Sequence, residues 1–521
     1  MLPEMIAACG RNFPEKTAFI QGPRSATWRE MDQRSSRLAG ALRSLGVARD
    51  EPVAILSQER IEVYEHWFAC IKSGVVRVGI NWRYSPREML HILTDCRPRL
   101  LFVDAHCAAS VEPLRQTLQE IGCVVIGFGQ GHGFALDHEN LIAQAQDGFE
   151  SVRYQGDEVV LCTYTSGTTG APKGVMLKES GVAEAIVHTV VSVGVSPEDV
   201  WFRPNQSSWV VLVGNSAGLA NGMTMVIPDG VFDLMAFLRD IGRVKVTVAL
   251  LVPTSVRRML DEIKTGRHDI STLRRFIYGG GPIAPSLVRE TLQTLNCELV
   301  QTYGLTEATW ATYLSHGDHL RGLKDRPDLL QSAGRFALHF EGSIRDDAGQ
   351  PLPAGEIGTL WLRSPCVMKG YLHLPEATRA VLQPGGWLIT HDIGYIDAEG
   401  YLFLKDRKNF LIITGGVNVY ASAVEAVLSE NAAVREVAVV GLPHEEWGEA
   451  VTAVVVRAEG VSDSALDAAT LIASCQGRLS KMETPKRIVF VNELPRNFTG
   501  KVDKLRIRKE LLAASADAAA T

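Results

Sequence analysis

Hydrophobic positions in the first part of the chain fall in short β-rich runs separated by stretches of helical spacing. Val159–Tyr164 is one such run, and the segment from Glu179 to about Gly194 predicts a helix. Met225–Ile227 predicts a strand, Phe232–Val244 a helix and Val246–Val252 another strand. Pro253 suits the first turn of a helix running to about Ile263. Arg274–Tyr278 as strand, Ala284–Leu295 as helix and Glu298–Thr302 as strand continue the alternation. Upstream, Pro52–Leu56 and Leu100–Asp104 read as strands, with a helix at Ile61–Gly74 between them. Regular alternation of this kind predicts an α/β fold, with helices covering mainly parallel sheets.

Beyond about residue 406 the pattern changes. Ser422 and Glu425 have the spacing of a capping box, Val437–Gly441, Val451–Arg457 and Ile488–Val491 read as strands, and Leu466–Leu479 reads as a helix. These elements predict a large N-terminal domain over residues 1–405 and a small, mobile α+β domain over 406–521. The Ala-rich tail after Leu512 is expected to fray.

Composition narrows the function by exclusion. Lys plus Arg number 53 against 59 Asp plus Glu, and a net charge of −6 gives no electrostatic case for nucleic acid or an anionic membrane. The nine cysteines are scattered without a CxxC pair, which points to buried thiols in a reducing compartment and away from disulfides or zinc. Residues 204–228 carry no charged side chain, but Asn205, Gln206, Gly214, Asn215, Gly218, Asn221 and Gly222 interrupt them. A buried helix followed by a buried strand is therefore expected there, and no membrane span. The N-terminus, with Glu4 early and no basic flank, does not read as a signal peptide, and a cytoplasmic location is expected.

The strongest chemical signal is Tyr164-Thr-Ser-Gly-Thr-Thr-Gly-Ala-Pro-Lys-Gly-Val175, directly after a predicted strand. Its glycines let backbone N–H groups close on an anion, and its hydroxyls and Lys173 add donors and charge. The spacing suits a polyphosphate and differs from the common P-loop. Gly279-Gly280-Gly281-Pro282 and Gln301-Thr-Tyr-Gly-Leu-Thr-Glu307 fall as loops at the ends of two further strands. In open α/β sheets ligands bind beyond the carboxyl ends of the strands, so the three loops suggest one nucleotide site. Gly127-Phe-Gly-Gln-Gly-His-Gly133 imitates a dinucleotide loop, but His132 stands where a glycine is required, and a flexible surface turn is expected.

From the phosphate loop near 164 to the lysine near 501 these motifs are collinear with the ANL superfamily of adenylating enzymes, which the chain resembles. The resemblance implies that Thr165, Ser166, Gly167, Thr168, Thr169 and Lys173 hold the phosphates of ATP. Gly279, Gly280, Gly281 and Pro282 would flank adenine and the acyl pocket, with Tyr303 and Gly304 against the adenine. Thr306 would bind the α-phosphate, Glu307 Mg²⁺, and Asp392 and Arg407 the ribose. Asp406 matches the hinge, Gly415, Gly416 and Asn418 the loop that approaches the thiol acceptor, and Lys501 the lysine needed for adenylation. Ser207, Ser208, Gly281 and Trp310 would line the acyl pocket.

The implied activity is activation of a carboxylic acid by ATP and Mg²⁺, followed by transfer to coenzyme A, with a carrier protein as the alternative acceptor. Such chemistry needs positive charge around the departing pyrophosphate. Four positions depart from the family: Gln206 and Ser207 replace an aromatic residue and a histidine, His391 a glycine, and Val417 a glutamate. Ser207 among Ser208, Gly214, Ser216, Ala217 and Gly218 suggests a roomy pocket and a bulky aryl or polycyclic acid. An amino-acid substrate is disfavoured because residues 204–215 contain no acid to pair a buried ammonium. Luciferase-type oxygenation and an inactive nucleotide-binding regulator stay open as rivals, and the oligomeric state is open, with a homodimer as one option.

Overall fold

The computed structural model describes residues 1–165, 172–281, 283–462, 465–496 and 502–520. Two compact units result: Met1–Gly342 with Trp361–Ile389 and Glu399–Leu402, and Ser343–Leu360 with Thr390–Ala398 and Phe403–Thr521.

The first unit contains two large sheets. One runs in the order Arg335–Phe336, Thr309–Leu314, Glu298–Leu305, Arg275–Gly279, Val248–Leu251, Val200–Phe202, Thr224–Ile227, Thr17–Gln21, Arg24–Thr27. Its inner strands, from Glu298–Leu305 to Thr17–Gln21, are all parallel. The other runs Gly370–Tyr371, Lys173–Lys178, Val159–Thr165, Val76–Asn81, Pro52–Ser57, Leu100–Asp104, Val124–Phe128, Leu136–Asp137. It is parallel from Val159–Thr165 onward, while Lys173–Lys178 folds back antiparallel. The α/β expectation holds.

Local chemistry sets the ends of the helices. Pro253 opens Pro253–Ile263, Asp233 accepts the Ala236 N–H at 2.7 Å to cap Leu234–Val244, and Glu179–Val193 stops at Gly194 with φ 70°. In the second unit, Val434–His444 and Gly448–Arg457 form an antiparallel pair within a five-stranded sheet. Ala421–Ser429 packs there through Val424 and Leu428 against Val439, Val451 and Val455.

Two local expectations are corrected. Ser422 and Glu425 make no capping box: Ser422 Oγ donates to the Lys405 carbonyl, and Glu425 accepts the Val439 N–H at 2.6 Å and pairs with Lys504 at 2.7 Å. The helix expected over Leu466–Leu479 spans only Ala468–Ser474, capped by Asp467. The Ala-rich tail lies in a helix that runs from Lys504 to Ala520. Residues 129–133 form the expected surface turn, in which His132 accepts the Phe134 N–H at 3.0 Å, approaches Asp137 at 3.1 Å and covers Gly127. As expected, residues 204–228 hold a buried helix, Val211–Asn215, and a buried strand, Thr224–Ile227, with a 3₁₀ turn at Ala217–Ala220 between them. Among the described residues no helix is long and apolar enough to cross a membrane.

Burial also creates a pH sensitivity. His319 is fully buried; its Nδ1 faces the Ser315 carbonyl at 2.7 Å and its Nε2 the Tyr278 hydroxyl at 2.8 Å. A carbonyl only accepts, so Nδ1 carries the proton and Nε2 accepts from Tyr278. Burial holds this imidazole down at about 4 from the usual 6.5. The unfolded chain therefore binds the proton first, and stability is lost as pH falls from 6.5 towards 4. Denaturant unfolding at pH 7.5 and at pH 5 should show an acid-induced loss roughly 2 kcal/mol smaller in His319→Gln than in wild type. Equal losses would assign the acid sensitivity to other groups.

Candidate active site

The phosphate-loop residues Ser166, Gly167, Thr168 and Thr169, together with Pro282 and Lys501, lie outside the described residues. The flanks of the phosphate loop are described. Thr165 ends Val159–Thr165, Lys173 begins Lys173–Lys178, and the two are register partners across the antiparallel pair. Tyr371 adds to the same edge, pairing with Val175, and the Lys173 ammonium sits 5.2 Å from the centre of its ring. The Tyr371 hydroxyl donates to Glu307 Oε1 at 2.9 Å, and the Met368 N–H to the Glu307 carbonyl at 2.8 Å. Lys173 and Glu307, carried by two different sheets, thus meet on one phenol.

Glu307 is delivered by Glu298–Leu305, whose neighbour Arg275–Gly279 ends at the Gly279–Gly281 run. Tyr303 and Gly304 are not in a loop, as the sequence suggested, but extend this strand against Thr309–Leu314. Gly304 has a steric reason: a Cβ there would lie 2.0 Å from the Thr309 carbonyl oxygen. The tight pairing sets Trp310 opposite Gly304. Glu307 Oε2 accepts no hydrogen bond among the described residues, so this carboxylate retains a hard oxygen suited to Mg²⁺.

Among the expected acyl-pocket residues, Ser207 is tied into a buried polar network. Ser207 is buried, and its hydroxyl lies 2.5 Å from Glu59 Oε1, 2.8 Å from the Tyr64 hydroxyl and 3.2 Å from Asn215 Nδ2. Its N–H donates to Glu59 Oε2 at 2.9 Å, and its carbonyl accepts from Arg77 at 3.0 Å. Burial raises the Glu59 carboxyl above its usual range, against the pull of the Ser207 and Tyr64 hydrogen bonds. The neighbouring small residues are used in packing. Gly214 lies under Arg203 and Trp310, Gly218 under Trp28, and the Ser216 hydroxyl accepts from Trp67 at 3.2 Å. Their smallness therefore gives no measure of pocket volume.

The second unit holds its own cluster. Arg407 Nε donates to Asp392 Oδ1 at 2.9 Å, and the Asp392 N–H donates to the Thr390 hydroxyl at 3.0 Å. Between them His391 has φ 61°, in the left-handed region that favours glycine, the residue expected there from the resemblance. Asp406 accepts from the N–H groups of Arg407 at 2.7 Å and Ser422 at 3.0 Å. Gly415 and Gly416, with φ of 56° and 78°, form the two-residue turn between Leu411–Thr414 and Val417–Tyr420, as a type I′ turn requires. Val417 and Asn418 are exposed beside it.

Comparison with known proteins agrees with the motifs. The model for AMP-binding enzymes matches residues 6–372, and that for the AMP-binding enzyme C-terminal domain matches residues 423–501. The chain belongs to the AMP-binding enzymes, the ANL adenylating superfamily. This AMP-binding enzyme is 34% identical over 515 residues to the fatty acid–[acyl-carrier-protein] ligase ScoC of Streptomyces coeruleorubidus, covering 96% of this chain and 95% of that one. It is 33% identical over 500 residues to the indoleacetate–CoA ligase of Aromatoleum aromaticum, covering 95% of each. ATP-bound MatB from Rhodopseudomonas palustris superposes with a TM-score of 0.89 at 28% identity, covering 98% of this chain and 99% of that one.

Sequence reasoning missed Tyr371, Glu59, Arg77 and Arg203 in this AMP-binding enzyme. Each is an ordinary residue locally and gains meaning only from contacts with distant segments. Arg203 alone gave a signal, as a charge flanking the long uncharged stretch.

Proposed function

We propose that this protein is an acid–thiol ligase that activates a carboxylic acid as its acyl-adenylate and then transfers the acyl group to coenzyme A. The observation that carries the reading is the meeting of Lys173, Tyr371 and Glu307 at the strand ends. In the first step the substrate carboxylate oxygen attacks the α-phosphorus of ATP, and pyrophosphate leaves with the bonding electrons. Thr165, Ser166, Gly167, Thr168, Thr169 and Lys173 would bind the phosphates, Thr306 the α-phosphate, and Lys501 the charge that grows on the leaving group. Glu307 would hold Mg²⁺, which supplies charge neutralisation when bound. Tyr303 and Gly279–Gly281 would enclose the base, and Asp392 with Arg407 the ribose.

In the second step the sulfur attacks the acyl carbon, AMP leaves, and the thiol proton is lost to solvent. The small domain would turn about Asp406 between the steps, withdrawing Lys501 and presenting Gly415, Gly416 and Asn418. We assign the acid to the aryl class, supported by Trp310 at the expected acyl pocket and by the indoleacetate–CoA ligase relative. The ScoC relative keeps loading of a carrier protein as the second reading. A cytoplasmic location suits nine free thiols, eight of them buried.

A panel of carboxylic acids assayed for pyrophosphate release, with and without coenzyme A, tests this reading. Acid-dependent release with acyl-CoA as the product is expected. Release without acyl-CoA, but with acylation of a holo-carrier protein, would select the second reading. No release from any acid would remove both.

A further inference from the structure

Two arginines of the first unit are fully buried, and they differ in one respect. Arg77 donates to the Ser207 carbonyl at 3.0 Å and feels the charge of Glu59. Arg203 has no carboxylate partner among the described residues. Its Nε donates to Asn215 Oδ1 at 2.9 Å, a neutral acceptor, and that is its one hydrogen bond there from the side chain. The phenols of Tyr64 and Tyr313 are the ionisable groups that interact with it, and burial keeps both protonated. Burial also pushes the guanidinium down to about 10, which still leaves it charged at neutral pH.

An isolated buried cation is costly, and proteins usually pair such groups. Here the surroundings hold the charge in place and leave it without an anion. Arg203 lies 4.8 Å from the Trp201 ring centre and 5.3 Å from that of Trp310. Two tryptophan rings at these distances give cation–π support to the guanidinium. A Cβ at position 214 would come within 2.5 Å of Arg203 Nη2, so the glycine there makes the space the guanidinium occupies.

Its location is informative too. Arg203 directly follows Val200–Phe202, at the carboxyl end of a strand in the parallel sheet. Trp310 stands three residues beyond Glu307. The charge is therefore at the end of the sheet where ligands of open α/β folds bind.

We propose that Arg203 is a specificity residue that pairs with a second, anionic carboxylate on the acyl part of the substrate, so that this enzyme activates an aryl dicarboxylic acid. This inference rests on the adenylation reading above. The substrate would supply the missing counter-charge, and a planar, pre-oriented guanidinium suits the planar carboxylate. A monoacid of the same shape would leave the cation unpaired.

The test compares 3-phenylpropionate with its ortho-, meta- and para-carboxylated forms, reading kcat/KM by pyrophosphate release in wild type, Arg203→Gln and Arg203→Lys. Wild type is expected to favour one diacid at least tenfold, and Arg203→Gln to lose ~10–100-fold on that diacid while the monoacid changes by less than about threefold. Arg203→Lys should keep part of the preference, since it keeps the charge. A wild-type enzyme that prefers the monoacid overturns the proposal without any variant. Equal losses on both acids, with unchanged melting curves, overturn it as well and leave Arg203 a packing residue. Absence of pyrophosphate release from every acid overturns the adenylation reading itself, and this proposal with it.

Discussion

Lys501→Ala is expected to reduce acyl-adenylate formation by at least ~100-fold while leaving thioester formation from supplied acyl-adenylate within a few-fold of wild type. The reason is electrostatic. Negative charge accumulates on the departing pyrophosphate in the first half-reaction only, and a positioned cation is worth most where charge develops. In the second half-reaction AMP leaves, the phosphate charge changes little, and the domain carrying Lys501 would have turned away. The two halves can be measured separately, as acid-dependent pyrophosphate release and as acyl-CoA formation from synthetic acyl-adenylate. Equal loss in both would sink the two-conformation scheme, because one geometry would then serve both steps.

Glu307→Gln should raise the Mg²⁺ concentration needed for half-maximal adenylation by ~10–100-fold and lower the rate at saturating metal. The substitution is selective because an amide oxygen can still accept the 2.9 Å hydrogen bond from Tyr371. Glutamine therefore keeps the shape of the junction between the two sheets and removes only the charge. A hard divalent cation loses most of its attraction to a neutral oxygen. Titration of Mg²⁺ at fixed ATP reads the effect directly. An unchanged half-saturation point would show that the metal is held elsewhere, and Glu307 would be left with its contacts to Tyr371 and Met368.

Much of the candidate site was legible in order of appearance along the chain. Lys173, Glu307, Asp392 and Arg407 were nominated because each sits in a run whose neighbours are as distinctive as itself. The corrections share the opposite property. Ser207 was placed at the acyl pocket by the resemblance and read as leaving room because its neighbours are small, yet those neighbours are used in packing, and Glu59 and Tyr64 from a distant helix and its approach take up its hydroxyl. Ser422 and Glu425 had capping-box spacing, but Lys504 and the Val439 N–H offered Glu425 stronger partners than the end of its own helix. Tyr303-Gly304 looked like a turn, and pairing with the strand Thr309–Leu314 drew it into the sheet.

Short-range chemistry therefore accounts for what could be read before any contacts were known. Hydrophobic period places strands and helices, a proline or aspartate starts a helix, and glycine-rich runs after strands mark anion sites. All of these act within a few residues, and so they survive in a linear reading. Counter-charges and hydrogen-bond partners do not, because a buried polar group takes whichever partner the packing brings near. Tyr371 under Lys173, Glu59 on Ser207 and the charge of Arg203 beside two tryptophans, unpaired among the described residues, are products of that long-range packing. The order of the chain was enough to recognise the family and to nominate nucleotide residues, while the surroundings of Ser207 and Arg203 depended on which distant segments met.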